Sequence, residues 1–387
     1  MMAKPVGSRC NLRCVYCYYL EKGSLSTHAK QTRMSYAMLE TMIRRTIEAS
    51  PGPVVSFTWH GGEPTLAGLD FYRKAVELEQ KYLPKGWEVW NNLQTNGVLL
   101  NDAWVRFLRE YRFDVGVSID GGAEVHDTNR RDLGGNASWE RVRKSISRLR
   151  GSGIEPDLLC TVNAGSEKDP EGVYEVLRAL GVSWIQFIPI VVRLMDGNLS
   201  PQSVSPEGYG DFLCRVFDRW VREDIGRLDI QLVAETARVL AGGEAGLCWM
   251  RPTCGRVLVV EEDGGVYSCD HFVDREHRLG TLGREKLSAM ADSPFQLDFG
   301  ARKREGLTAQ CRRCPWLSLC NGGCVKDRFA LSEDGETGQN VLCAGLRRFF
   351  GHAVPILREI MRRSGEGESP ERIRNALAQS HGPTALT

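Results

Sequence analysis

Short apolar runs alternate with longer amphipathic stretches through about the first 225 residues of the chain. The runs are rich in β-branched and aromatic residues, which predicts strands at 3–6, 54–59, 88–94, 114–119, 157–162 and 184–189. Ser35 is a suitable N-cap for a helix in which Met38, Met42 and Ile47 share one face. The same spacing predicts further helices at 69–82, 102–111, 138–150, 170–180 and 206–222.

The regular alternation of strand and helix indicates an α/β fold. Six such units predict a parallel sheet with crossover helices, curved or closed as a partial barrel, since the eight units of a full barrel are not found. From about Gly242 to Gly345 the chain is instead rich in Gly and Cys, and we expect this segment to fold around metal. Within it, 257–262 and 264–267 predict a hairpin. An amphipathic helix is predicted at 344–361, followed by a mobile tail.

The amino-acid composition and charge argue against several classes of protein. The net charge of +1 argues against a nucleic-acid-binding protein, and no apolar run approaches the roughly 18 residues of a membrane span. The N-terminus lacks the apolar region of a signal peptide, so we expect a cytoplasmic protein. Thirteen cysteines in such a chain favour metal binding or catalysis over disulfides, and an odd number cannot pair completely.

Three cysteines, Cys10, Cys14 and Cys17, follow the first predicted strand with the spacing C-x3-C-x2-C. Three thiolates on a tight loop can hold three irons of a cubane cluster and leave the fourth iron without a protein ligand. Zinc would need a fourth ligand, for which His28 is the candidate.

This triplet, with Tyr16 before its last cysteine, resembles that of the radical S-adenosylmethionine (SAM) superfamily. The resemblance implies a partial (β/α)6 radical SAM barrel in which SAM chelates the open iron. Gly61, Gly62 and Glu63 match the family's motif that holds the SAM amino group, although a plain Gly-Gly turn is an alternative.

Two further polar residues lie at or after the end of a later strand, where open α/β sheets bind ligands. Arg130 could form a fork to the SAM carboxylate, with Ser118 as a second donor. The alternative for Arg130 is an ordinary solvated surface charge.

Eight cysteines of the second half resemble those of the SPASM domain of peptide-modifying radical SAM enzymes. The resemblance implies a first auxiliary iron–sulfur cluster on Cys248, Cys254, Cys269 and Cys324. It implies a second on Cys311, Cys314, Cys320 and Cys343. Spacing alone leaves two zinc sites open. Cys160 and Cys214 lie in apolar segments and are interpreted as small core residues.

Within the superfamily the chain most resembles the anaerobic sulfatase-maturating enzymes. The features that carry this likeness are Lys4-Pro5, Tyr18-Tyr19, His60-Gly-Gly-Glu-Pro-Thr65 and Val266-Tyr-Ser-Cys-Asp270. The family oxidises a Cys or Ser of an unfolded or nascent sulfatase to Cα-formylglycine. The resemblance implies SAM, three [4Fe–4S] clusters and a reduced flavodoxin- or ferredoxin-type electron donor. It also implies a radical SAM domain at 1–235 and a SPASM domain at 236–345. The residue pattern adds a C-terminal helix at 346–363 and a disordered tail at 364–387.

The same resemblance implies roles for three side chains. Asp270 stands where the maturases carry their catalytic base, although an Asp after a cysteine ligand can also cap a turn. His60 stands where some maturases carry Gln, and it is either a substrate contact or a neutral, satisfied side chain. Tyr19 either lines the peptide channel or packs in the core.

Three other functions remain open. The first is maturation of a ribosomally made peptide by thioether formation, C–C crosslinking or epimerisation with the same apparatus. Such enzymes often carry a leader-binding domain before the cysteine triplet, and the triplet starting at Cys10 leaves no room for one. The second is an electron carrier, which would not need the Gly-Gly-Glu-Pro strand end. The third is a zinc-scaffolded binding module.

Overall fold

The computed structural model describes residues 1–19, Lys22 and residues 33–380, so the proposed zinc ligand His28 lies outside the described residues. The strands, in chain order β1 to β12, are Met2–Ala3, Val54–Trp59, Glu88–Thr95, Asp114–Ser118, Asp157–Val162, Trp184–Pro189, Asp229–Ile230, Val259–Val260, Gly265–Tyr267, Arg278–Thr281, Ala330–Leu331 and Thr337–Gln339.

The helices α1 to α14 are Tyr36–Ala49, Leu69–Tyr82, Asp102–Glu110, Ala123–Asn129, Trp139–Gly151, Pro170–Ala179, Pro206–Glu223, Gln231–Leu240, Leu287–Ala291, Pro294–Glu305, Ala309–Arg312, Leu317–Cys320, Cys343–Gly365 and Pro370–Ser380. The predicted strands and helices of the first half are confirmed with small changes at their ends, except the first strand, where β1 is only Met2–Ala3 instead of the predicted 3–6. Helices α4 and α8 and strand β7 were not predicted.

The chain forms two compact units, each assembled from separate segments. The first unit contains 1–118, 127–156 and 254–301, and it holds parallel strands in the order β1-β2-β3-β4. Local sequence explains these elements well. Ser35 accepts a hydrogen bond from Met38 N at 3.1 Å and so caps α1, while Phe57 and Trp59 of β2 are buried by strand alternation.

The hairpin of β8 and β9 forms at the predicted position and extends the sheet of the first unit. Strand β8 pairs in parallel with β1, with Val260 opposite Ala3, and β9 pairs antiparallel with β8. Strand β8 therefore lies directly beside the first strand, and β9 lies next to β8. This long-range pairing brings the part of the Cys-rich segment that contains the hairpin to the N-terminal strand.

The second unit contains 119–126, 157–253 and 302–387. Its strands β5, β6 and β7 are parallel neighbours, and helix α7 packs against α13. A Cβ atom at Gly210 would lie 2.7 Å from Gly345 Cα, so the two helix backbones touch where α13 begins. Cys160 and Cys214 are buried, which confirms their interpretation as core residues.

The predicted disordered tail is wrong for its described part. Helix α13 extends to Gly365, and α14 follows at Pro370–Ser380. Ile373 and Leu377 of α14 are buried, and Arg374 Nη1 donates to Ile225 O at 3.1 Å. The polar composition of this segment concealed an amphipathic face. None of the helices within residues 1–19, 22 and 33–380 combines the length and the apolar content that a membrane span requires.

Candidate active site and cluster sites

The loop that carries the cysteine triplet follows β1 and is held by backbone hydrogen bonds. Arg13 N donates to Arg131 O at 2.7 Å, and Val15 N donates to Asn129 O at 3.0 Å. Leu12 N points at Cys10 Sγ at 3.3 Å. Burial raises the pKa of the Cys10 thiol to about 12, so the free thiol is protonated at neutral pH. Binding of a cluster there would release a proton.

Gly62 allows the loop after β2 to lie directly against the triplet loop. Gly62 N donates to Gly7 O at 2.8 Å, and Glu63 N donates to Arg9 O at 2.8 Å. A Cβ atom at Gly62 would lie 2.1 Å from Arg9 O, which no side chain tolerates. The glycine therefore has a packing role in addition to the expected SAM contact.

The carboxylate of Glu63 ties together the ends of β2 and β3. It is fully buried, and it accepts hydrogen bonds from Thr65 N at 3.0 Å, Thr95 Oγ1 at 2.7 Å and Asn96 N at 2.7 Å. Burial raises the pKa of Glu63, and these hydrogen bonds oppose that rise. Asn96 Nδ2 continues the link to the triplet loop by donating to Asn11 Oδ1 at 2.7 Å.

Arg130 lies next to the triplet. Its guanidinium carbon is 5.6 Å from the centre of the Tyr16 ring, and the side chain is buried. Ser118 ends β4, the fourth of the parallel strands. The triplet, the Gly-Gly loop, Ser118 and Arg130 thus all follow or end neighbouring parallel strands in the same unit. This is the arrangement expected of a ligand site at the carboxyl edge of a sheet.

Asp270 lies beside the first strand because of the β8–β9 hairpin. Its Oδ1 forms an ion pair with Lys4 Nζ, and its Oδ2 accepts a hydrogen bond from the Tyr18 hydroxyl. Lys4 is completely buried, while the Asp270 side chain is 18% exposed. The carboxylate is therefore bound by two side chains and remains partly accessible to solvent.

Burial raises the pKa of Asp270, but the charge and hydrogen bond of Lys4, together with the neighbouring His60 and His271, outweigh burial and hold the pKa well below its usual range. The carboxylate is thus ionised at any pH at which the protein would work. An ionised, partly exposed carboxylate can accept a proton.

His60 is the second partner of Lys4, with Nδ1 at 2.7 Å from Lys4 Nζ. Burial, and then the charge of Lys4, lower the pKa of His60 to about 3. The imidazole is therefore neutral. Because an ammonium group only donates, Nδ1 must accept and Nε2 must carry the proton.

Tyr19 and Tyr18 have different surroundings. Tyr19 is 2% exposed and packs with Val259, Tyr267 and Val273, so it occupies the core position that was the alternative to a channel-lining role. Its hydroxyl donates to Glu261 Oε1, and Lys4 Nζ lies 4.5 Å from the centre of its ring. Tyr18, by contrast, is 41% exposed and contacts Asp270.

Sequence reasoning did not identify Lys4 and Tyr18 as site residues. A lysine at the end of a short apolar first strand was a signal for a buried cation with an acidic partner. Which carboxylate it pairs with depends on the β1–β8 contact, which no local pattern reveals.

The four cysteines expected to hold the first auxiliary cluster are divided between the two units, with Cys254 and Cys269 in the first unit and Cys248 and Cys324 in the second. In the second unit, Lys303 stabilises the loop that carries Cys248. Its Nζ donates to Cys248 O at 3.1 Å and to Trp249 O at 2.7 Å.

The four cysteines expected to hold the second auxiliary cluster line one cavity. Cys311 lies on α11, Cys320 ends α12 and Cys343 begins α13, with Cys314 in the turn between α11 and α12. All are free thiols. The other lining residues, apart from Arg347, are uncharged; they are Gln310, Trp316, Leu317, Gly322, Gln339, Leu346 and Phe350.

Four sulfur donors around one cavity fit an iron–sulfur cluster. Among the described side chains, no three of His, Cys, Asp or Glu are grouped closely enough to hold a single metal ion. A cubane with its own sulfides is larger than one ion, so the cavity fits a cluster better than zinc.

Comparison with known proteins agrees with this geometry. The profile of the Radical SAM superfamily matches residues 5–180, and that of the SPASM iron–sulfur cluster-binding domain matches residues 237–315. The serine-type anaerobic sulfatase-maturating enzyme of Bacteroides thetaiotaomicron is 40% identical over 392 residues, covering 97% of this chain and 94% of that protein.

A cysteine-type anaerobic sulfatase-maturating enzyme of Clostridium perfringens is 32% identical, covering 92% of this chain and 96% of that protein. The solved structure of native anSMEcpe with bound AdoMet and Kp18Cys peptide superposes with a TM-score of 0.85 at 31% identity. It covers 94% of this chain and 99% of that chain. The chain therefore belongs to the family of anaerobic sulfatase-maturating enzymes, which are radical SAM enzymes with a SPASM iron–sulfur domain.

Proposed function

We propose that this chain oxidises a Cys or Ser of an unfolded or nascent sulfatase to Cα-formylglycine. The observation that carries the proposal is the position of Asp270. It directly follows Cys269, and it contacts both Lys4 before the cysteine triplet and Tyr18 after it. This position supports Asp270 as the base, because it lies next to a proposed auxiliary-cluster ligand and next to the loop proposed to hold the SAM cluster. Relatives of both the serine type and the cysteine type support this substrate class.

Cys10, Cys14 and Cys17 would hold the SAM cluster, and Gly61, Gly62, Glu63, Ser118 and Arg130 would contact SAM. When bound, the cluster and SAM would together supply the radical chemistry needed to remove one hydrogen atom from the substrate Cβ. The buried Arg130 suits a carboxylate ligand, because its fork of donors matches a carboxylate in geometry and charge.

Asp270 accepts the proton of the substrate thiol or hydroxyl. The oxidation removes one hydrogen atom, one proton and one electron, and we assign the proton to Asp270 and the electron to an auxiliary cluster. Lys4 keeps the carboxylate ionised before the reaction, and Tyr18 holds its second oxygen in place. For Cys, water then replaces sulfur in the thioaldehyde, giving the aldehyde and hydrogen sulfide.

His60 and Tyr19 act on this site through Lys4. His60 accepts from Lys4 at Nδ1, which leaves its Nε2–H as the donor available to a substrate. Tyr19 places its ring against the same ammonium group. We propose that both side chains fix the position of Lys4 and that His60 also reaches the substrate.

We propose that the protein holds three [4Fe–4S] clusters, with the SAM cluster in residues 1–235 and two auxiliary clusters in residues 236–345. Cys248, Cys254, Cys269 and Cys324 would hold the first auxiliary cluster, and Cys311, Cys314, Cys320 and Cys343 the second. A reduced flavodoxin- or ferredoxin-type protein would supply the electron, which together with a nascent substrate points to the cytoplasm.

The direct test is mass spectrometry of a sulfatase-type peptide after anaerobic incubation with the reconstituted protein, SAM and reductant. Peptides carrying Ser or Cys in a C/S-x-P/A-x-R context should yield the aldehyde, detected by reaction with a hydrazine. A peptide with Ala at the target position is the matched control and should be unchanged. A crosslinked or epimerised product without an aldehyde would contradict the proposal and support maturation of a different peptide.

A further inference from the structure

Gln339 is a buried amide that lines the cavity of Cys311, Cys314, Cys320 and Cys343. Its side chain is only 3% exposed. In the part of the chain that the structure describes, Gln339 Nε2 has no hydrogen-bond partner. A buried N–H group without a partner is unfavourable, so native proteins nearly always satisfy it.

The orientation of this amide follows from Thr308. Thr308 Oγ1 accepts a hydrogen bond from Cys311 N at 3.2 Å, and it donates its own hydrogen to Gln339 Oε1 at 2.6 Å. Cys311 Sγ also lies 3.5 Å from that oxygen. The oxygen of the amide is therefore the end that faces Thr308, and the nitrogen is the end that remains for another acceptor.

The amide shares its cavity with four sulfur atoms, because Gln339 lines it together with Cys311, Cys314, Cys320 and Cys343. The donor that the protein leaves unused therefore belongs to the same cavity as the four thiols.

Gln310 lines the same cavity but differs in its hydrogen bonds. Its Nε2 donates to Glu333 Oε1 at 2.9 Å, and its Oε1 accepts from Glu333 N at 2.8 Å. Both ends of that amide are used within the protein. Arg347, the charged residue of the lining, donates to Glu333 at 2.5 Å, which partly offsets its charge. Gln339 is therefore the lining amide whose N–H is left for a ligand.

We propose that Gln339 Nε2 donates a hydrogen bond to a sulfur atom of the cluster held by Cys311, Cys314, Cys320 and Cys343, and that this bond raises the reduction potential of the cluster. The inference rests on the cluster assignment of the proposed function. A reduced cluster carries more negative charge on its sulfur atoms, so a donor stabilises the reduced form more than the oxidised form. The amide would thereby make this cluster a better electron acceptor.

The test is a redox titration, followed by electron paramagnetic resonance, of the anaerobically reconstituted full chain and its Gln339→Leu variant. The signal of this cluster is identified as the one lost in a Cys311→Ala variant. We expect Gln339→Leu to shift its midpoint potential to a more negative value, with a several-fold change in the oxidised-to-reduced ratio at a fixed potential. A tenfold change in that ratio corresponds to about 59 mV for one electron.

Gln310→Leu is the matched control, because it removes an amide from the same cavity whose N–H is already used. Its cluster potential should equal that of the parent. An unchanged potential in Gln339→Leu with full iron content would overturn the inference and leave the proposed function intact. If Gln339→Leu binds less iron, Gln339→Met is titrated instead, and loss of the cluster from both variants would overturn the tuning role. A parent protein that lacks this cluster contradicts the cluster assignment itself, and the inference with it.

Discussion

Lys4 and Asp270 form an ion pair that joins the first strand of the chain to its Cys-rich segment. Lys4 is fully buried, and its ammonium group also contacts His60 Nδ1 and the ring of Tyr19. These contacts hold the ammonium group beside the carboxylate. We conclude that Lys4 sets the protonation state of the proposed base and that the hairpin of β8 and β9 sets its position.

Replacing Lys4 by Met should make product formation depend on pH. In the parent, the pKa of Asp270 lies well below its usual range, so the base is ionised and the rate should not fall at mildly acidic pH. Without the cation, burial raises the pKa of Asp270, and activity should decline as the pH falls through the raised value. Lys4→Arg keeps the charge and should keep the parent profile. Rates of product formation measured from pH 5.5 to 8 test this prediction. A rate that does not change with pH in Lys4→Met would contradict the role of Lys4 in keeping Asp270 ionised.

Replacing Asp270 by Asn removes the basicity while keeping the shape of the side chain. General base catalysis is typically worth about 10²–10⁴-fold in rate, so aldehyde formation should fall by that order. SAM cleavage and iron content should be retained, which parallel assays of 5′-deoxyadenosine and iron would check. Loss of iron from this variant would indicate that Asp270 supports the cluster loop instead.

His60 should act as a neutral acceptor for Lys4. Because its pKa is lowered to about 3, its protonation cannot produce an inflection in the rate near neutral pH. His60→Gln provides an amide oxygen for Lys4 and should stay within a few-fold of the parent rate, whereas His60→Leu should be slower. Steady-state rates of the two variants test this, and equal rates would exclude a role through Lys4.

The close contact of the two loops makes Gly62 sensitive to a single methyl group. In Gly62→Ala the new Cβ would lie 2.1 Å from Arg9 O, so the triplet loop must shift. We expect weaker SAM binding and lower iron occupancy. Gly151→Ala is the control, since its Cβ would meet no atom within 4 Å. SAM affinity and iron content of both variants, compared with the parent, measure the effect, and normal values for Gly62→Ala would contradict it.

The cluster assignment predicts about 12 irons per reconstituted chain. Replacing Cys10, Cys14 and Cys17 by Ala should remove about four of them and abolish reductive SAM cleavage. Replacing Cys311 and Cys314 by Ala should remove a different cluster and stop product formation, with some SAM cleavage remaining. Iron analysis and 5′-deoxyadenosine assays distinguish the two sets, and stoichiometric zinc in the parent would contradict the assignment.

Local patterns predicted those parts of the fold that depend on neighbouring residues. The alternation in β2, the Ser35 cap and the hairpin predicted at 257–262 and 264–267 all depend on a few neighbouring positions, and the structure has them where expected. The pairing of β1 with β8 involves two-residue strands far apart in the chain, so no periodicity indicates it.

In the candidate site, too, local sequence revealed some residues, while others depend on contacts between distant parts of the chain. The cysteines and the Gly-Gly-Glu-Pro loop were found because their spacing is itself the signal. The partners of Asp270, namely Lys4 and Tyr18, depend on a long-range contact and were missed. Helix α14 was missed because its buried residues, Ile373 and Leu377, stand among charged ones.

The most direct test of the account uses a sulfatase-type peptide whose target Ser or Cys carries deuterium in place of both Cβ hydrogens. The peptide is incubated anaerobically with the reconstituted protein, SAM and reductant, and both products are analysed by mass spectrometry. The account predicts one deuterium in 5′-deoxyadenosine for each formylglycine formed. Formylglycine accompanied by unlabelled 5′-deoxyadenosine, or labelled 5′-deoxyadenosine without any aldehyde, would contradict it.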